Sequence, residues 1–130
     1  MSAPDTVTVT RSYEQSNVDR YAVGARDMNP IHRETPEAYA GPFGRPVAHG
    51  MLVLSLVSEA MSTAFGDAWE RGGTLKVRWR QPAFVPIKIT VLASLKSEVD
   101  GLATYEVVCA SAAGETLLTG TATVRPLGAA

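Results

Sequence analysis

The sequence predicts an α+β fold in which a curved antiparallel sheet of five strands wraps one long hydrophobic helix. Three observations carry this. A single stretch, "GMLVLSLVSEAM", is apolar on nearly every helical side, which marks a helix buried all round. From Thr74 onward the pattern switches to period 2 and keeps it through four successive runs. Short helical pieces precede both, so the chain reads as helices followed by strands, and a helix apolar all round needs a sheet that curls about it. With 130 residues and 45% hydrophobic side chains, one domain over residues 1–130 can bury its core without disulfide or metal support.

In order along the chain, Thr6–Thr10 ("TVTVT") alternates β-branched apolar and polar residues and predicts a half-buried first strand. Ser16 is a candidate N-cap for "NVDRYAVGARD", whose Val18, Tyr21, Ala22 and Ala25 share one helical face. Pro30 biases Asn29 away from helical dihedrals, so the chain turns sharply after Asp27 and folds back before Thr35 caps "PEAYA". The Gly- and Pro-rich "GPFGRPVAHG" reads as a loop. Gly50 then opens the hydrophobic helix, roughly Met51 to Phe65, broken only by a stripe of Ser55, Ser58 and Ser62. The strands "TLKVRWRQ", "IKITVLASLKSEV", "LATYEVVCASA" and "ETLLTGTATV" follow, joined mostly by hairpins, with turns at Asp100-Gly101 and Ala113-Gly114. Pro82, Pro86 and Gly120 offer places to bend or end them.

A formal charge of -1 with interspersed signs leaves no electrostatic footprint for nucleic acid or a membrane surface. The lone Cys109 cannot form an internal disulfide, and no spacing of Cys or His suggests a metal cage. The start, "MSAPDTVTVT", lacks a signal-peptide pattern, and the longest apolar run is too short and too polar to span a bilayer. A soluble, cytoplasmic protein is expected.

The chemistry concentrates in "RDMNPIH", where Asp27 and His32 flank a tight turn. A carboxylate and an imidazole so placed can reach one water molecule, which suits the addition of water to a carbon skeleton or its removal. A metal would need more ligands, and nucleophilic catalysis a Ser or Cys beside His32. Alone, Asp27 would read as a helix-end residue and His32 as a satisfied polar side chain; the pair on one turn points to function.

The run "YAVGARDMNPIHRETPEAYAGPFGRPVAHGML" resembles the signature of the (R)-specific enoyl-CoA hydratases and MaoC-like dehydratases, with Asp27, Asn29, Pro30, His32, Phe43, Pro46, His49, Gly50, Met51 and Leu52 at matching positions. The resemblance implies a hotdog fold, Asp27 and His32 as the catalytic pair, and the Gly50 N–H as donor to the thioester oxygen. On the oxyanion and substrate-binding side it also points to Asn29 and Ser58. Asn29 itself reads mainly as a turn former whose side chain braces the loop. Ser58, two turns into the helix, is either bonded to the catalytic acid, as the resemblance implies, or engaged in helix packing. His49 is expected to order the loop ahead of the helix. Two departures stand out: Ala25-Arg26 replaces Ser-Gly before the acid, and Ile87-Lys88 replaces Gly-Asp after the second strand. Arg26 is a candidate for facing the substrate entrance. The alternating Lys76, Arg78 and Arg80 suit either a phosphate or a solvated strand face.

The expected activity is that of a cofactor-independent hydro-lyase acting on 2-enoyl or (R)-3-hydroxyacyl thioesters, carried by CoA or by an acyl carrier protein. A hotdog thioesterase, with Glu59 as the helix carboxylate, and a non-catalytic acyl-binding subunit are the competing readings. The exposed rim of such a sheet predicts pairing with a second copy, or with a related hotdog chain.

Overall fold

The structure, a computed structural model, describes residues 3–126. Five strands form one antiparallel sheet in the order β1-β3-β4-β5-β2, where β1 is Thr6–Tyr13, β2 Thr74–Trp79, β3 Ile87–Val99, β4 Leu102–Ser111 and β5 Thr116–Val124. Four α-helices accompany it: α1 (Gln15–Ala25), α2 (Pro36–Ala40), α3 (Gly50–Phe65) and α4 (Asp67–Gly72). Helix α3 packs against β1, β3, β4 and β5 on one face of the sheet, giving the expected hotdog arrangement.

Strand alternation sets the core. Ile89, Val91 and Ala93 of β3 and Ala103, Tyr105, Val107 and Cys109 of β4 are all buried beneath α3. Hairpins join β3 to β4 and β4 to β5; Asp100 and Gly101 take the first turn with φ of 52° and 77°, the pair of left-handed residues that a two-residue loop of this twist requires. Strand β2 leaves this meander and pairs with β5, Val77 opposite Gly120. A β-carbon on Gly120 would sit 2.4 Å from the Lys76 carbonyl oxygen, so only glycine lets β2 come this close.

Several expectations change in detail. Strand β1 runs to Tyr13, because its pairing with β3 continues to Tyr13 opposite Ile87. The cap of α1 is Glu14, whose N–H donates to Asn17 Oδ1 at 2.7 Å, and not Ser16. Helix α3 is buried on one side only: Leu52, Val53, Leu56, Val57, Ala60 and Met61 face the core, while Met51, Ser55 and Thr63 are exposed. The serine stripe is partly covered by α4, which the Gly-rich look of "GDAWERGG" concealed; its Trp69 is 7% exposed and its indole N–H donates to Ser58 Oγ at 3.0 Å. No helix among the described residues is long and apolar enough to cross a membrane.

Candidate active site

Helix α1 delivers Asp27 through a left-handed turn. Arg26 has φ 57° and ψ 35°, its N–H reaches the Ala22 and Val23 carbonyls, and the Asp27 N–H donates to Ala22 at 2.9 Å, closing the helix in a Schellman motif. The glycine usual at this position is what Arg26 replaces; the backbone conformation persists without it. Asn29 then caps a 3-10 turn, Pro30–His32, accepting from the Ile31 N–H at 3.2 Å through its side chain, while its own N–H donates to Asp27 Oδ1 at 3.3 Å. Asn29 therefore braces the turn between the two candidate residues.

His32 is fixed from the other side. The Val47 N–H donates to Ile31 O at 3.0 Å, and His32 Nδ1 lies 2.7 Å from Val47 O. A carbonyl oxygen only accepts, so Nδ1 carries hydrogen and Nε2 of the neutral ring keeps its lone pair. That Nε2 is 4.0 Å from Asp27 Oδ2. The carboxylate is half-exposed and the imidazole nearly buried, at 50% and 12%. At 4.0 Å the pair is too far apart for a direct hydrogen bond and close enough for one water to touch both.

Beside His32 lies a cavity of about 320 Å³, lined mainly by apolar groups, among them Ile31, Phe43, Val53, Trp79 and Leu117, with Gly50 at the α3 tip. As the first residue of α3, Gly50 has an N–H with no intrahelical acceptor. Trp79, half-exposed at the end of β2, donates its indole N–H to the Gly50 carbonyl at 3.0 Å. His32 and Gly50 line the cavity; Asp27 does not, and its Oδ2 lies 4.0 Å from His32 Nε2.

Ser58 is not brought to this site. Its Oγ accepts from Trp69 of α4, and it makes no hydrogen bond to Asp27 among the described residues, so helix packing stands where the family resemblance implied a bond to the acid. Glu59 is held by Arg11 on β1, with Nε at 3.2 Å and Nη2 at 3.0 Å from Oε1, and lies outside the cavity. His49, expected to order the loop ahead of the helix, is 2% exposed and stacked on His32 with ring centroids 3.7 Å apart, and sequence reading passed over one neighbour, Trp79. Trp79 is 29 positions from Gly50, and only sheet topology joins them. Asp27, His32 and His49 also offer one ligand atom each within 4.8 Å of one another, the donor types of a two-histidine, one-carboxylate metal site. His49 Nε2, however, lies 3.0 Å from the Asp27 carbonyl oxygen and so carries hydrogen, which takes that nitrogen, though not Nδ1 of the same ring, out of a ligand set in this geometry.

The chain is similar to known proteins. The chain is 34% identical over 95 residues to 3-hydroxyacyl-thioester dehydratase Z of Mycobacterium tuberculosis, covering 70% of this chain and 60% of that protein. It is 28% identical over 81 residues to the mitochondrial 3-hydroxyacyl-[acyl-carrier-protein] dehydratase of Arabidopsis thaliana, covering 62% of this chain and 48% of that one. The chain thus spans about half to three fifths of the length of these relatives. Among solved structures, the (R)-hydratase from A. caviae involved in PHA biosynthesis superimposes with a TM-score of 0.80 at 23% identity, over 97% of both chains, a likeness of fold. Residues 1–114 match the family described as the MaoC like domain, and the chain belongs to that family of MaoC-like dehydratases.

Proposed function

We propose that the protein is a hydro-lyase that adds water reversibly to 2-enoyl thioesters and removes it from (R)-3-hydroxyacyl thioesters. The observation that carries this reading is the 4.0 Å separation of Asp27 Oδ2 and His32 Nε2 beside a mainly apolar cavity that His32 and Gly50 help to line. The names of the mycobacterial and plant relatives, both dehydratases of 3-hydroxyacyl thioesters, support the substrate class.

In the hydration direction, a water between Oδ2 and Nε2 loses one proton to the pair as its oxygen bonds Cβ of the enoyl group. The same pair returns a proton to Cα on that face, so one water is added across the double bond and the protein is unchanged. Negative charge grows on the thioester oxygen in between. The Gly50 N–H, at the positive end of α3, donates to it, and the apolar lining makes that hydrogen bond stronger than it would be in water. Each step uses only the chain's own groups.

The carrier of the acyl group is CoA or an acyl carrier protein; the plant relative's name favours keeping the second. The outer edges of β1 and β2 are unpaired in the single chain, and Met51 and Trp79 are half-exposed beside the cavity, so a second copy or a related hotdog chain is the natural cover for that side. The free thiol of Cys109 suits a reducing, cytoplasmic setting.

The test is an assay of the purified chain with crotonyl-CoA and with 3-hydroxyacyl carrier-protein thioesters. With crotonyl-CoA, loss of enoyl absorbance without thiol release and an (R) product are expected; with the 3-hydroxyacyl thioesters, a gain of enoyl absorbance. Asp27→Asn and His32→Ala should each lower turnover by about two to four orders of magnitude with the fold intact. Thiol release ahead of hydration, or full activity in Asp27→Asn, overturns the assignment.

A further inference from the structure

His49 is one of two buried polar side chains among the described residues, and a buried imidazole must be explained by what it bonds. Its Nε2 lies 3.0 Å from the backbone carbonyl of Asp27 and 3.9 Å from Asp27 Oδ2. With hydrogen on Nε2, the neutral ring leaves Nδ1 as a bare acceptor, and that atom is buried with no partner among the described residues. The ring is stacked on His32, with planes 25° apart, and leans on Tyr21, with ring centroids 4.9 Å apart. Its backbone carbonyl accepts from the Leu52 and Val53 N–H groups as the cap of α3. One residue therefore touches the candidate acid, the candidate imidazole and the helix tip.

Asp27 needs such a restraint. It follows a left-handed residue, its carboxylate is half-exposed, and among the described residues the one hydrogen bond that carboxylate accepts is a long 3.3 Å contact from Asn29. The His32 ring is pinned at Nδ1 but free to tilt about that bond unless something lies flat against it. We propose that His49 is a positioning residue: its Nε2–H, given to the Asp27 carbonyl, and its ring, laid on His32, together hold carboxylate and imidazole at the spacing that one water bridges. This rests on the hydro-lyase reading of the same site.

His49 does not line the cavity, so its loss should change the chemical step and leave substrate binding alone. His49→Phe keeps a flat ring against His32 and removes the donor; His49→Gln keeps an N–H of similar reach and removes the ring. Expected in His49→Phe is a fall in kcat of about ten- to a hundredfold with KM within about twofold, since small misplacements of reacting groups cost on this order. His49→Gln should recover at least a fivefold part of that loss. A His49→Phe protein with wild-type kcat overturns the proposal, as does a KM that rises in step with the fall in kcat. Nitrogen NMR of the wild-type chain gives an answer independent of folding in the variants: hydrogen on His49 Nε2 and a bare Nδ1 support the arrangement, and the opposite tautomer overturns it. A wild-type chain inert toward every enoyl and hydroxyacyl thioester would instead sink the hydro-lyase reading, while the tautomer result would still stand or fall on its own.

Discussion

The indole of Trp79 occupies the space into which a side chain at position 50 would grow. A β-carbon on Gly50 would lie 2.8 Å from Trp79 Nε1 and 3.1 Å from Cε2, and the same Nε1 donates to the Gly50 carbonyl at 3.0 Å. Gly50→Ala must therefore push the indole off the helix tip and break that bond. Overpacking and a lost hydrogen bond argue for roughly 1–3 kcal/mol of destabilisation, reduced by up to about 1 kcal/mol because alanine favours the helix. Denaturant unfolding should show this loss, and Gly50→Ala/Trp79→Ala should be more stable than the sum of its single changes. Additive effects would mean that the two residues are not in contact.

Much of this was legible in the residues themselves. Period-2 runs gave β2 to β5 nearly to the residue, and Asp100-Gly101 gave its hairpin, because both signals are local. The pairing of Asp27 with His32 was legible for the same reason: one turn brings them together. What the sequence hid lies across the sheet or between helices. Ser58 looked available because Trp69, eleven positions on, is invisible to a local pattern. Helix α3 looked apolar all round, yet one side of it stays open in the single chain. The Trp79 contact with Gly50 depends on β2 crossing to the far edge beside β5.

Arg26 carries a left-handed backbone that glycine adopts without strain. For a residue with a β-carbon this conformation costs roughly 1–2 kcal/mol, and glycine gives part of that gain back through a looser unfolded chain. Arg26→Gly should stabilise the protein by up to about 1 kcal/mol, and Arg26→Val should destabilise it by more than that, since a β-branched residue tolerates positive φ poorly. Thermal unfolding of both variants checks the order. A less stable Arg26→Gly would show that the arginine side chain makes a contact that matters.

Ser58 and Glu59 sit side by side on α3 and separate competing roles. Ser58→Ala leaves the buried Trp69 N–H without its acceptor, at a cost of about 1–3 kcal/mol, and should leave kcat within about threefold. A tenfold loss of kcat at unchanged stability would return Ser58 to the catalytic acid. Glu59→Gln removes one half of a part-exposed pair with Arg11, worth at most about 1 kcal/mol after solvent screening. Hydratase turnover should survive it; abolished turnover would point to a carboxylate chemistry on the helix.

Cys109 lies under α3 on β4, and burial pushes its thiol from 9.0 up to about 12. The native protein should therefore resist alkylation at pH 8, and the unfolded chain should react at once. The unfolded thiol gives up its proton near pH 9 while the folded one keeps it, so above that point the unfolded state binds fewer protons and stability falls as pH rises. The fall from this group is at most about 1.4 kcal/mol per pH unit, ends near pH 12, and is absent below pH 9. Tyr13 and Tyr105, raised chiefly by burial, add a decline of the same sign above pH 10. Cys109→Ala should consequently flatten the stability curve between pH 9 and 10, where the phenols still contribute little. An unchanged slope in that window would mean that the thiol reaches solvent in the folded chain.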